Sequence, residues 1–570
     1  MTRLLTELAF EQHSFLDIIK ANGLYVDKTP YLIKLISSPE KVWFLSRPEG
    51  FGKSLLISTL EALFSGQRHL FQGLEMETKL DDKRFAPRPV ISLDLSSFSQ
   101  ILSVPEIWKS LRHLIDGLAT KHGIELTDSN SGSQANQNIL IFRELIEKLA
   151  HKTGQLVAIL IDDYDSPYLG LAQTPRGLSR GRQSLNEFYH QLKTVDDYVS
   201  FVFITGVSKF SVLDNATNIS IMPEFGAICG FTHEELTNSF EKSLDDACHN
   251  DKNRLKLLLN KIQDYYGGFC FDGQTHLYNP LSITRCFRDN KFKSSDYNNY
   301  WYHKNRSPLL TKCLEGERLT PARFRGTPIS FSFASDPGEI DLAKPLELLY
   351  HEGYLTLRPG DDENPFKLVY PNIEVNLAVS RILTRDFTGS INSRASGRQG
   401  FINGLKNRRP DILVRELNRF LTTVFYIDSD PSPYFIENIK PIVEFEKSTL
   451  LEGLDLALRM SGLKYASKIK VSQGILELAF GFEEVKCAIE IQTFQQDGAD
   501  EAVALEAFNE LVRKTGEFSK ENLILLGLAI NESKIAITAW WDNILELPLT
   551  DQGQALGNFS TLTRKRNMFF

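Results

Sequence analysis

Eight consecutive residues, Arg47-Pro48-Glu49-Gly50-Phe51-Gly52-Lys53-Ser54, stand between a short apolar run and a stretch with helical spacing. A turn in that position directs backbone N–H groups and a helix N-terminus at an anion. Gly50 and Gly52 let the backbone approach closely, the Lys53 ammonium reaches the β- and γ-phosphates, and the Ser54 hydroxyl ligates Mg²⁺. The full pattern G-x-x-x-x-G-K-[ST] asks for glycine where this chain has Arg47. A lone G-K-S also occurs in ordinary surface loops, so the strand-loop-helix context carries the reading. About a hundred residues later the apolar run Leu156–Ile161 ends in Asp162-Asp163-Tyr164-Asp165. A strand ending in an acid holds Mg²⁺ opposite a phosphate-loop serine, which makes Asp162 the metal candidate and Asp163 the residue to polarise an attacking water. The apolar run Phe201–Thr205 ends in Thr205, a candidate sensor of the γ-phosphate or simply a strand terminus.

The elements that must position these groups are legible in the hydrophobic pattern. Val42–Ser46, Val90–Leu95, Leu156–Ile161 and Phe201–Thr205 are short, continuously apolar and rich in β-branched or aromatic residues, as strands buried on both faces are. Ser54–Phe64 and Ile107–Leu118 show helical spacing between them. The alternation predicts an α/β fold with a parallel sheet over residues 1–225. Residues 226–387 read as helical with short extended pieces, and Leu346–Leu357 followed by Phe366–Tyr370 suggests a helix leading into a winged-helix-like hairpin. The polar stretch 388–400 reads as a linker. From 401 onward a helical stretch, strands at Ile475–Phe480 and Val485–Ile491, a helix over Ala499–Lys514 and strands at Leu523–Ile530 and Ile535–Trp540 predict a second, smaller α/β domain.

Bulk properties exclude other classes. The chain has 570 residues, enough for about three to five domains. At 42% hydrophobic and 24% charged it is neither disordered nor fibrous. Its net charge of -8 gives no global field for nucleic acid. Six scattered cysteines with no C-x-x-C pair predict a reduced, intracellular protein. The N-terminus lacks the apolar core of a signal peptide, and no apolar run approaches the roughly 20 residues of a membrane span. The expectation is a cytoplasmic location with no membrane partner.

Taken together, Tyr25-Val26-Asp27-Lys28-Thr29, FLSRPEGFGKSLLISTLEALFSG (44–66), LIDDYDSP (160–167) and FITGVSKFS (203–211) resemble the AAA-ATPase-like family, whose members carry a C-terminal PD-(D/E)XK nuclease-like domain. CGFTHEEL (229–236), YYGGFCF (265–271), YNPLSI (278–283), GYLTL (353–357) and YPNIEV (370–375) extend the resemblance over roughly residues 10–385. It implies a P-loop NTPase-like sheet domain, ATP and Mg²⁺ as cofactors, and a restriction-endonuclease-like α/β domain at 401–570. The family loop reads R-P-x-x-F-G-K-S, so Arg47 is its regular form. Its acidic motif reads Asp-Glu-Tyr-Asp, and Asp163 stands here in place of Glu. An acid set back by about 1.5 Å slows chemistry on the order of a hundredfold, so the resemblance implies nucleotide binding more firmly than hydrolysis.

A PD-(D/E)XK site needs an acid on one strand and acid-x-Lys on the next, so that one or two metal ions activate water and the Lys offsets phosphate charge. The resemblance places these roles on Glu477, Glu490 and Gln492, with Gln492 replacing the Lys and the family's upstream helix acid falling on Lys468. An exposed pair of strand glutamates is the plain alternative. Residues 401–570 hold 24 acids against 19 bases, which is no cationic footprint for DNA. The site reads as degenerate. Three functions are weighed: a nucleotide switch whose C-terminal domain binds DNA, RNA, a protein or a second copy of the chain without efficient cleavage; an active ATP-regulated nuclease of a defence, mobile-element or effector system; and a P-loop phosphotransferase, for which no acceptor motif is present. Arg176, Arg180 and Arg182 stand as solvated or as arginine-finger positions alike.

Overall fold

The computed structural model describes residues 14–127, 133–172, 177–208, 216–249, 251–289, 297–301, 327–329, 345–360 and 364–379 except 377, and, further on, 402–407 except 405, the strands between 464 and 541, and helical positions between 506 and 513. The expected linker at 388–400, the tail at 564–566, Arg176, and the side chains of Arg180, Arg182, Lys468, Glu477 and Gln492 lie outside the described residues. The chain divides into two compact units, one of residues 1–317 and 324–378 and one of 318–323 and 379–570. The boundary expected near residue 225 lies inside the first unit.

The first unit is built on a five-stranded sheet. Its strands are β1 (Val42–Ser46), β2 (Val90–Asp94), β3 (Val157–Asp162), β4 (Val199–Gly206) and the short β5 (Thr217–Asn218), in the order β2-β3-β4-β1-β5. Every pairing is parallel. β3 is buried along its whole length, as its unbroken apolar sequence requires. Before β1 come α1 (Phe15–Lys20) and α2 (Thr29–Ser37), and the crossover helices are α3 (Lys53–Phe64), α4 (Glu75–Lys79), α5 (Val104–His122), α6 (Gln134–Thr153), α7 (Ser166–Ala172) and α8 (Gly177–Thr194). α3 buries Leu56, Leu60 and Leu63, an i, i+4, i+7 stripe, against the sheet. α6 starts at Ser133, whose side chain accepts from the Asn136 N–H, and ends at Gly154 in the left-handed conformation.

The ends of β3 and β4 are tied to each other. The Tyr164 N–H donates to the Thr205 carbonyl at 3.0 Å, and the Val207 and Ser208 N–H groups donate to Asp165 Oδ2 at 3.1 and 2.8 Å. Gly206 lies in that seam because nothing larger fits: a Cβ there would stand 2.6 Å from Asp165 Oδ1 and 2.7 Å from Tyr164 Cδ1.

After the sheet come α9 (His233–Ser239), α10 (Glu241–Cys248), α11 (Lys252–Tyr266) and α12 (Pro280–Arg288), packed around a core that includes Phe240, Ile262, Tyr266, Ile283 and Phe287. Then α13 (Pro345–His351) leads into the antiparallel pair β7 (Thr356–Pro359) and β8 (Phe366–Val369), with β6 (Thr327–Ile329) on the far side of β8. The helix-then-hairpin reading of 346–370 agrees with these elements.

The second unit contains a mixed sheet in the order β13-β12-β11-β10-β9, from β9 (Lys464–Val471), β10 (Gly474–Phe482), β11 (Val485–Thr493), β12 (Leu523–Ile530) and β13 (Ile535–Trp541). β11 and β12 run parallel and all other pairs antiparallel. Described helical residues between 506 and 513 fall in the crossover that a parallel pair requires. The sequence pattern missed β9, whose alternation of Tyr465, Ser467, Ile469 and Val471 with Lys464, Lys468 and Lys470 is that of an edge strand protected by lysines. Lys468 therefore lies on a strand, which corrects its expected correspondence to a helix position.

Gly206→Ala is expected to lower stability by about 1–3 kcal/mol, read as a reduced urea midpoint, because the seam has no room for a methyl group.

Candidate nucleotide site

The loop from β1 to α3 has two residues with positive φ, Gly50 at 75° and Gly52 at 97°, and Gly52 is the N-cap of α3. Those conformations favour glycine and explain why the two positions carry it. The backbone N–H groups of residues 50–54 have no acceptor among the described residues. Successive unpaired amides in a turn that opens a helix form a nest with partial positive charge. Lys53 is buried, with its Nζ 3.3 Å from the Pro48 carbonyl, and Ser54 is exposed at the first turn.

Arg47 does not share in this nest. It is 1% exposed, its Nη1 donates to the Ser46 and Ser220 carbonyls at 2.9 and 2.7 Å, its Nη2 reaches the Gly226 carbonyl at 3.4 Å, and its guanidinium lies 4.6 Å from the Phe271 ring centroid. Burial draws its pKa down. The residue that breaks the glycine pattern is thus a brace between β1 and the region after β5.

The acids sit at the end of β3. Asp162 is buried and its Oδ1 accepts from the Thr205 hydroxyl at 2.5 Å. Thr205 is fully buried, so in this structure its hydroxyl orients Asp162 and does not face the open cleft. Asp163 has φ 50°, a left-handed conformation that Asp tolerates better than most residues. Burial raises its pKa to about 6, against the Lys53 ammonium, with Asp162, Glu49 and Asp94 adding to the rise. Asp165 is raised to about 7, first by burial and then by Asp163, despite the Ser208 N–H.

Gly50, Gly52, Lys53, Ser54 and Asp163 line one cleft of about 480 Å³, a size usual for small-molecule sites. Its other end is largely apolar, formed by Ile18, Leu24, Tyr25, Val26, Ile228 and Phe231. Lys28 braces that end: its Nζ lies 2.6 and 2.7 Å from the Glu235 carboxylate oxygens and 2.8 Å from the Ala227 carbonyl, and Glu235 closes the capping box of α9 with Thr232. Arg285 of α12 also lines the cleft, half-buried and without a salt bridge among the described residues. The sequence reading did not find Arg285 or the apolar end. Tyr25, Val26 and Phe231 lay in the motifs Tyr25–Thr29 and Cys229–Leu236, which carried no spacing rule for a role, and Arg285 lies just beyond Tyr278–Ile283.

In the second unit, Glu490 is 2% exposed, which removes the reading of an exposed strand glutamate. Leu478 pairs with Ile489 across β10 and β11, so positions 477 and 490 lie on neighbouring strands next to that pair, and Gln492 follows two residues on along β11.

Residues 11–215 match a family model described as Predicted AAA-ATPase. A protein of Azotobacter chroococcum mcd 1, "Uncharacterized protein in vnfD 5'region", is 29% identical over 372 residues, covering 63% of this chain. This chain spans 66% of that relative's length. Among solved structures, the Aeropyrum pernix ORC2 protein in ADPNP-ADP complexes aligns at 11% identity over 62% of this chain and 92% of its own, with a TM-score of 0.24, too low to argue from. The family match supports a nucleotide-binding P-loop character for the first unit. No helix among the described residues is long and apolar enough to cross a membrane.

Asp163, Asp165 and Glu374, the last raised to about 7 by burial, all hold folded pKa values above those of free carboxyl groups. Folding therefore takes up protons, and their contribution to stability is full at low pH and lost as pH rises through about 6 and about 7. Urea unfolding of the nucleotide-free chain is expected to give a falling midpoint between about pH 5 and pH 8, with a shallower fall in Asp165→Asn.

Proposed function

We propose that the first unit binds a nucleoside triphosphate, taken as ATP, together with Mg²⁺, and that its nucleotide state controls the C-terminal nuclease-like domain. The observation that carries the nucleotide reading is the convergence, in one cleft that also has apolar lining, of unpaired loop amides, Lys53, Ser54, Asp163 and the unbridged Arg285. The triphosphate lies along the amides of residues 50–54, Lys53 neutralises the β- and γ-phosphates, and Arg285 adds a second cation from α12. Ser54 and Asp162 are the oxygen donors for Mg²⁺. One hydroxyl and one carboxylate fit a small ion that completes its shell with phosphate oxygens and water. The bound ion supplies charge neutralisation on the phosphates.

The chain's own chemistry is modest. Thr205 fixes the carboxylate of Asp162. Asp163, with its pKa near 6, takes a proton from a water held beside it. It does so from a short side chain on a left-handed backbone, which favours slow turnover and a long-lived bound state. The second unit, lacking the cation that acid-x-Lys would provide at Gln492, serves to bind a partner or nucleic acid without efficient cleavage. A second reading, an active metal-dependent nuclease, is supported by one observation, that positions 477 and 490 fall on the adjacent strands β10 and β11.

Lys53→Ala is expected to weaken binding of a fluorescent ATP analogue at least a hundredfold, and unchanged affinity would remove the nucleotide site. Arg285→Ala is expected to narrow the preference for ATP over ADP by about tenfold, the worth of one charge-assisted contact. For the second unit, Mn²⁺-dependent cleavage of DNA or RNA that disappears in Glu490→Ala would replace the binding role with the nuclease.

A further inference from the structure

Three successive carbonyls of the nucleotide loop are bonded to the region that follows the sheet. The Asn279 Nδ2 donates to the Glu49 carbonyl at 3.1 Å, the Leu281 N–H to the Gly50 carbonyl at 3.3 Å, and the Gly230 N–H to the Phe51 carbonyl at 3.1 Å. All described peptide bonds are trans, so each carbonyl points opposite to the next residue's N–H. Anchoring these carbonyls on one side turns the amides of Gly50, Phe51 and Gly52 to the other side. The loop is pressed onto its anchor: a Cβ on Gly50 would stand 3.0 Å from Leu281 Cβ and 3.1 Å from either polar atom of the Asn279 amide. Phe51 is 1% exposed, its ring centroid 5.0 and 5.3 Å from those of Phe269 and Phe271.

Asn279 is the one side chain in this set, and it is 1% exposed. Its Oδ1 accepts from the Ser282 N–H at 3.0 Å and caps α12, the helix that brings Arg285 to the cleft. The two contacts fix the amide orientation, since a flip would set donor against donor and acceptor against acceptor. We propose that Asn279 is a positioning residue for nucleotide binding, joining the loop carbonyl that turns the amides inward to the cap of the helix that carries Arg285. The proposal rests on the nucleotide reading above. Through this residue the loop and α12 move as one body, so a nucleotide held by the amides is also held against Arg285.

The two contacts of Asn279 can be separated. Asn279→Asp keeps the capping oxygen and turns the donor into an acceptor facing the Glu49 carbonyl. Asn279→Ser keeps a capping hydroxyl without adding charge and removes the tether. Both variants are expected to bind ATP and ADP about three- to tenfold more weakly than the wild type by isothermal titration, the worth of one hydrogen bond. The nucleotide-free melting temperature of Asn279→Ser is expected within about 2 °C of the wild type, because the cap persists, and that of Asn279→Asp lower, because a buried carboxylate then faces a carbonyl. Wild-type affinity in Asn279→Ser overturns the proposal. So does weakening confined to Asn279→Asp, which would mark a charge effect, and so does a lowered melting temperature with an unchanged nucleotide-induced shift, which would mark a merely structural role. A wild type that binds neither ATP nor ADP removes the nucleotide reading itself.

Discussion

A phosphate-binding turn exposes its amides only if its carbonyls are engaged elsewhere. A peptide plane carries both groups on opposite edges, so the face offered to an anion is set by what bonds the other face. Here the carbonyls of Glu49, Gly50 and Phe51 are bonded from residues near 230 and 280, and the Arg47 guanidinium braces the strand side of the loop. Much else in the first unit serves that arrangement. Gly50 allows the close approach to Leu281, Phe51 fills an aromatic pocket, and a Cβ at Gly353 would press on Pro48 at 2.5 Å, so the loop is gripped from several segments distant in sequence.

The same cleft concentrates negative charge. Burial, and after it the charges of Asp162, Glu49 and Asp94, raise the cost of ionising Asp163, against the Lys53 ammonium. Below about pH 6 the site relieves this by protonating Asp163. The Thr205–Asp162 contact and the amides that bind Asp165 keep the acids in place at that cost, as preorganised sites do. Asp163 adds a left-handed backbone, a conformation in which the short carboxylate is better tolerated than a longer acid, which gives a local reason for Asp where the related motif has Glu.

In the second unit the sheet brings the candidate acids to neighbouring strands, and the buried Glu490 is a committed interior carboxylate. The edge strand β9 places Lys468 on the sheet. A functional reading of this unit belongs to its site and not to its sheet order.

The sequence by itself determined the parallel strands, because runs such as Val157–Asp162 are apolar on both faces and only a covered parallel sheet buries both. It also determined the position of the phosphate loop and of Asp162 and Asp163, since each lies where a strand ends. The alternation in Lys464–Val471 was present but hidden by its lysines, and β9 went unread for that reason. Only the tertiary structure decided the roles of Arg47, Thr205, Asn279 and Arg285. Arg47 turns away from the loop it interrupts, Thr205 faces Asp162, and Asn279 and Arg285 reach the site from more than two hundred residues away. Local pattern reports burial and backbone conformation, which are properties of a few adjacent residues. Which carbonyl a distant amide will bond, and which cation will reach the cleft, is fixed only when the chain has packed.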